Sequence, residues 1–217
     1  ATSVGGETLF RVGSIDNSTS SFLIQNSQKD SQPLLTQFLS PPPAGSVLHY
    51  TRGRMLVAAG NRLYPSAPFF PELFDLRLGI PFPDHLTMIA PISDGSRFSM
   101  HGVWIGTASP VIWLHGEAPE HWKPQVKADY GVIPGTFTYA PGELIGDGSA
   151  KGTRVAMFAT QFGLCAGKQG GEFHNLTEAK FLYPSMDRGA GVVRRHDGMA
   201  QYVVCLQGSE VPADVAV

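Results

Sequence analysis

Few residues in this chain have the chemistry to act on a substrate, and their spacing suits it poorly. Seven histidines stand at positions 49, 85, 101, 115, 121, 174 and 196. None of their spacings matches His-Glu-x-x-His or another local metal-binding pattern. The densest chemical cluster is His115-Gly116-Glu117-Ala118-Pro119-Glu120-His121-Trp122-Lys123-Pro124. Its carboxylates, Glu117 and Glu120, stand near aromatic rings and could act as acid and base across a glycosidic bond. Adjacent carboxylates in a Pro- and Gly-bearing loop are ordinarily just solvated, so no catalytic residue is assigned. Gly167-Lys168-Gln169-Gly170-Gly171 lies between two apolar runs, not ahead of a helix. It therefore cannot offer a helix N-terminus to a phosphate. Gly146-Asp147-Gly148-Ser149 lacks the glycine that must follow the serine of a nucleophile elbow. The chain reads as a non-enzyme, with no cofactor and no metal.

Surface recognition is the next possibility. Trp104, Trp113 and Trp122 could form an aromatic platform for a sugar, but Trp104 and Trp113 sit inside apolar runs, where core packing is the default. Arg194-Arg195-His196 is a small basic knot that could meet an acidic partner, and a solvated turn explains it equally well. Cys165 and Cys205 both lie in apolar, strand-like runs. They are expected to be reduced and buried, a disulfide being the alternative.

The elements that must position these groups follow from composition. Only 16% of residues are charged, while 25 are Gly and 17 are Pro, a balance that favours turns and strands over helices. A net charge of -2 supplies no overall field toward nucleic acid or an anionic bilayer, so direct nucleic-acid binding is not expected. The longest apolar runs fall well short of the roughly 20 residues of a membrane-spanning helix. No basic-then-apolar leader pattern opens the sequence. These features point to a soluble protein that stays in the cytosol until it assembles.

The N-terminal residues 1–45 read as a β-hairpin over 8–24 and a polar stretch, ending in the extended arm Pro41-Pro42-Pro43-Ala44-Gly45. From 46 to 208 a unit recurs of Gly-bearing turn, apolar strand, turn and strand. Copies are readable at 53–64, 102–114 and 163–173, with first strands beginning near 55, 103 and 164 and spacings of about 48 and 61 residues. A fourth, partial copy spans 189–206, with Asp197-Gly198 as its hairpin turn. Between the first two copies, Pro65 to Leu86 should be an irregular segment packed down by its phenylalanines. Leu86 to Ile92 reads as a buried strand, and 209–217 as a loose tail. The fold expected is all-β, built of antiparallel blade-like hairpin repeats in a partial or small propeller-like arrangement, with a β-sandwich as the alternative.

The pattern is similar to structural proteins of tailed bacteriophages and prophages, particularly those with propeller-like domains. The residues that carry it are Arg54 to Ser66, Phe74-Asp75, Met88 to Pro91, Ala128 to Thr136 and Asn175-Leu176-Thr177. Leu9 to Gly13 with Ser18 to Phe22 also resembles the closing strands of a fibronectin type III module whose opening strands are absent. The resemblance implies a virion component of the tail or head-to-tail region, present as a homo-oligomeric ring and partnered by other virion proteins. A receptor- or glycan-binding adhesin and a capsid decoration protein remain the alternatives, with a glycosidase behind them.

Overall fold

The computed structural model describes residues 10, 16–18, 21, 23, 38–92, 101–116, 118–146, 152–177, 180–183 and 186–208. The hairpin expected over 8–24, isolated positions aside, and the tail from 209 lie outside the described residues.

The described chain is all-β and antiparallel. A first sheet holds β1 (Val47–Thr51), β2 (Arg54–Ala59), β3 (Arg62–Ala67) and β4 (Phe70–Phe74) in that order, with the short β5 (Ile80–Pro81) also on β3. A second holds β6 (Leu86–Ile92), β7 (Gly102–Thr107), β8 (Val111–His115) and β9 (Lys123–Ala128). A third holds β10 (Thr138–Pro141), β11 (Arg154–Thr160), β12 (Gly163–Gly167) and β13 (Phe173–Asn175). A two-stranded ribbon of β14 (Met186–His196) and β15 (Met199–Gly208) closes the series. Each four-stranded sheet is a meander in chain order, the blade-like hairpin repeat expected from the sequence.

The repeat is more regular than the sequence suggested. Gly163 to Phe173 does form strand, Gly-rich turn and strand, but these are β12 and β13. The counterpart of β2–β3 and β7–β8 is β11–β12, so equivalent strands begin at 54, 102 and 154, recurring at 48 and then 52 residues. Its Gln161-Phe162 turn carries no Gly or Pro to announce it. Asp197 (φ 49) and Gly198 (φ 77) make the left-handed turn their types predict. Arg52 (φ 48) and Gly53 (φ 76) make a second one that no Asn or Asp signals.

The layers stack face to face. On β7 and β8, Val103, Ile105, Ile112 and Leu114 join Leu56, Ala58 and Leu63 of the first sheet in one core. Their neighbours Trp104, Val111 and Trp113 point the other way, into a core with Ala156, Phe158 and Cys165 of the third sheet. β11 repeats the device, since Val155 and Met157 pack instead with Val193 and Tyr202 of the ribbon. The order of layers is therefore first sheet, second sheet, third sheet, ribbon. Strands covered on both faces read as unbroken apolar runs, which is why Gly102–Thr107 is buried throughout. β15, covered on one side only, alternates strictly between exposed and half-buried residues. Pro71, Pro91, Pro124 and Pro141 all fall on edge strands of their sheets, where a missing N–H costs no ladder bond.

Two tryptophans anchor the larger core. Trp104 and Trp113 lie with ring centroids 5.0 Å apart, and the Trp104 indole N–H donates to the Lys168 carbonyl at 3.0 Å. Gly102 and Gly171 lie against the Trp113 ring where a Cβ would collide with it, and Gly167 does the same for Trp104. The glycines of the 167–171 loop thus make room for the rings.

Two expectations need correction. Cys165 is buried, but Cys205 is exposed, because the odd-numbered residues of β15 face away from the third sheet. The segment from Pro65 to Leu86 is not irregular, since it holds the end of β3, all of β4 and β5 and a 3-10 turn at Leu76–Leu78; in it Phe74 and Phe82 are buried, whereas Phe69 and Phe70 remain 79% and 51% exposed. The β3–β4 turn swings this pair outward rather than packing it down. Replacing Trp104 with Ala removes a fully buried ring and should cost about 3–5 kcal/mol, read as a lower midpoint in denaturant unfolding with the slope unchanged.

Candidate functional site

The cluster that looked most chemical is an inter-sheet tie. Glu120, in the 3-10 turn Pro119–His121, accepts from Arg54 Nη2 at 2.9 Å, while Arg54 Nη1 donates to the Ser66 carbonyl at 3.0 Å. Glu120 thereby holds the β8–β9 connection of the second sheet to the first. Glu117 lies outside the described residues. Trp122 is half-buried and donates to the Gly116 carbonyl at 3.2 Å, beside a cavity of about 200 Å³ that Arg52, Arg54 and His101 also line. Trp104 and Trp113 are in the core, so the three-ring platform is not assembled.

The other candidates are also in structural use. Lys168 lies almost fully buried, and its ammonium donates to Glu172 at 2.9 Å. His174 Nε2 meets the same Glu172 oxygen at 2.7 Å. Hydrogen bonds from Lys168 and then His174 hold the Glu172 carboxyl below the usual carboxylate range. Arg194, Arg195 and His196 lie exposed at the end of β14, where His196 Nδ1 stands 3.1 Å from Asp197. Among the described residues, no three or more His, Cys, Asp or Glu gather to hold a metal. No described helix is long and apolar enough to cross a membrane.

A feature that motif reading missed is the junction where the first strands of the three sheets meet. Tyr139 on β10 donates its hydroxyl to the Pro91 carbonyl on β6 at 2.7 Å and lies 3.2 Å from His49 Nε2 on β1. With the tyrosine proton committed to Pro91, His49 must supply the proton in its own contact, as the Nε2–H tautomer. The His49 and Tyr139 rings meet edge to face at 5.7 Å, Phe137 packs edge-on to Tyr139 at 5.0 Å, and the Arg154 guanidinium sits 5.2 Å from the Tyr139 ring centre. Burial pushes the Tyr139 phenol up to about 12. Burial, and then the Arg154 charge, hold His49 below its ordinary 6.5. The junction is a half-buried clasp that joins all three sheets through residues distant in the chain.

The remaining distinctive surface is the outer face of the ribbon. Its inner face is seated by Val193 and Tyr202 on Ala140, Val155, Met157 and Ala166. The Tyr202 hydroxyl, its pKa raised by burial, donates to the Thr136 carbonyl at 2.7 Å. Backbone N–H groups of Gly189 and Gly191 donate to Pro134 and Gly135 at 2.8 and 3.2 Å, and a Cβ on Gly191 would strike the Thr136 carbonyl. The glycines of Gly189-Ala190-Gly191 therefore allow main chain to dock on main chain. On the other side, Val192 and Val203 face each other across the strands at 57% and 47% exposure, with Cys205 and Met199 alongside, all exposed. At the opposite end of the stack, Leu48 and Tyr50 on β1 are exposed as well. Alternation along β14 and β15 was legible in the sequence, but not which face would be left uncovered.

No protein-family model matches this chain, and no curated protein matches it significantly.

Because neutral His49 is favoured in the fold, the stability it contributes is full above the ordinary value of 6.5 and is lost as pH falls through the depressed folded value. Between about pH 7 and about pH 5, the melting temperature of the native chain should fall more steeply than that of His49→Gln, which keeps an N–H donor and does not titrate; parallel slopes would remove His49 from this role.

Proposed function

We propose that the chain is a structural subunit of a bacteriophage virion, of the tail or head-to-tail region, that works by assembling with copies of itself into a ring and with other virion proteins. The observation that carries this reading is that, among the described residues, the stack of sheets is open at both ends. Three blade-like sheets and a ribbon are described, fewer than the typical four to eight blades of a closed propeller. Each interior layer takes an apolar neighbour on both faces. The ribbon ends the series with Val192, Val203 and Met199 uncovered, and the first sheet ends it with Leu48 and Tyr50 uncovered. A second copy is the partner that continues the same packing, ribbon face on sheet face. Such a head-to-tail contact closes into a ring when its rotation allows. The phage assignment rests on the resemblance of the blade sequences, and the adhesin and decoration readings share the open-ended stack without explaining it.

Val203→Glu charges the outer face at a position that contributes little to the monomer, at most about 0.5 kcal/mol. It should convert the oligomer to a smaller species in sedimentation velocity with the far-ultraviolet circular dichroism unchanged. Val193→Glu, on the inner face, should instead loosen the ribbon and lower the melting temperature. A native chain that sediments as a monomer at high concentration would sink the proposal.

A further inference from the structure

The β3–β4 turn packs the Phe69 ring against Gly53 of the β1–β2 turn and still leaves two aromatic side chains largely exposed. Phe69 has φ 63, a left-handed conformation that a bulky side chain adopts rarely and at a cost. The turn is held there by the Phe69 N–H, which donates to the Gly53 carbonyl at 2.6 Å. The result is a projecting pair of rings, Phe69 at 79% exposure and Phe70 at 51%, stiffened by Pro68 before it and Pro71 after it. The Gly53 contact covers only part of the Phe69 ring, and two adjacent, largely exposed phenylalanines form an apolar tip on the surface.

At the other end of the strands lies an apolar hollow of about 460 Å³, lined by Val47, Leu86, Thr87, Met88, Pro134 and Phe137. The Thr87 hydroxyl in its wall is buried and without a hydrogen-bond partner among the described residues. The two features cannot meet within one copy. The rings sit beside the β1–β2 turn through the Gly53 contact, whereas the hollow sits beside the β2–β3 turn, where the Leu86 N–H donates to the Gly60 carbonyl at 3.0 Å. Strand β2 runs between them for its full six residues, a rise of about 20 Å. A knob at one end and a socket at the other, offset along the strand direction, is the geometry of a heterologous contact that repeats by translation.

We propose that the Phe69–Phe70 knob inserts into the socket between the first strands of a second copy, stacking copies end to end along the strand direction. This rests on the assembly reading above and adds an axial contact to the lateral one made by the ribbon.

The test uses the full chain carrying Val203→Glu, which removes the lateral contact, and reads association by sedimentation velocity beside thermal melting. Phe69→Gly should weaken end-to-end association by roughly tenfold or more, from loss of a buried ring, while melting at the same or a higher temperature, because glycine accepts φ 63 without strain. A purely structural phenylalanine would lower the melting temperature instead. Ser46→Trp, at the exposed rim of the socket, should block association from the other side. Mixing the two variants should restore pairing that stops at dimers, since each copy then offers one working half. Undiminished association in both variants overturns the socket while leaving the ribbon-mediated assembly intact. Loss of binding to phosphatidylcholine vesicles in Phe69→Gly, with chain-to-chain association unaltered, would assign the knob to a lipid surface and overturn it too.

Discussion

Strands β7 and β8 have almost no solvent face: Val103, Ile105, Ile112 and Leu114 meet the first sheet, while Trp104, Val111 and Trp113 meet the third. Each such side chain contributes about 1.5–3 kcal/mol by leaving water, and the alternation of a pleated strand sends those contributions to two partners at once. The second sheet is therefore the layer on which the others are hung. Its tryptophans impose further demands, because a buried indole N–H needs an acceptor. The Lys168 carbonyl supplies it, and the glycines around it let the backbone come that close. The glycine-rich loop, which the sequence excluded as a phosphate site, is thus accounted for by the space two rings require.

Stacking alone would leave the layers free to splay at their inner edges. The Tyr139 clasp acts against this by tying β10 to the β6 backbone and to His49 on β1, with its phenol and imidazole both held in their uncharged forms by burial. Arg54 with Glu120 makes a second tie between first and second sheets at the opposite end of β2 from the Gly60 turn. Glu120 is half-exposed, so this pair contributes modestly and serves more to orient the 3-10 turn than to stabilise it. Outside these contacts lie a ribbon whose outer face mixes exposed Val192, Val203 and Met199 with Arg188, Arg194 and Gln201, a first sheet with Leu48 and Tyr50 exposed, and a strained aromatic tip.

Assembly built from flat sheet faces differs from assembly built from a pocket. The assembly proposed above would need no special residues on such a face, only the apolar alternation already required for the strand. The strained turn at Phe69 is different in kind. Its signal is conformational and cannot be seen in residue types, since Pro-Phe-Phe-Pro reads equally well as a buried aromatic segment.

Much of the local structure was legible in the amino-acid order. Asp197-Gly198 marked a hairpin and the apolar run Leu86 to Ile92 marked a buried strand, because each of these is a constraint acting within a few residues of backbone. The all-β class and the blade-like repeat followed from them. What only the tertiary structure decided is which apolar face meets which. The hydrophobic effect is non-directional, so Val192 and Val193 look alike in sequence although one faces the third sheet and the other faces water. The His49–Tyr139 contact, between residues 90 apart, arises because three strands happen to converge there. Periodicity records that a face must be covered; the identity of its cover is a property of the folded chain.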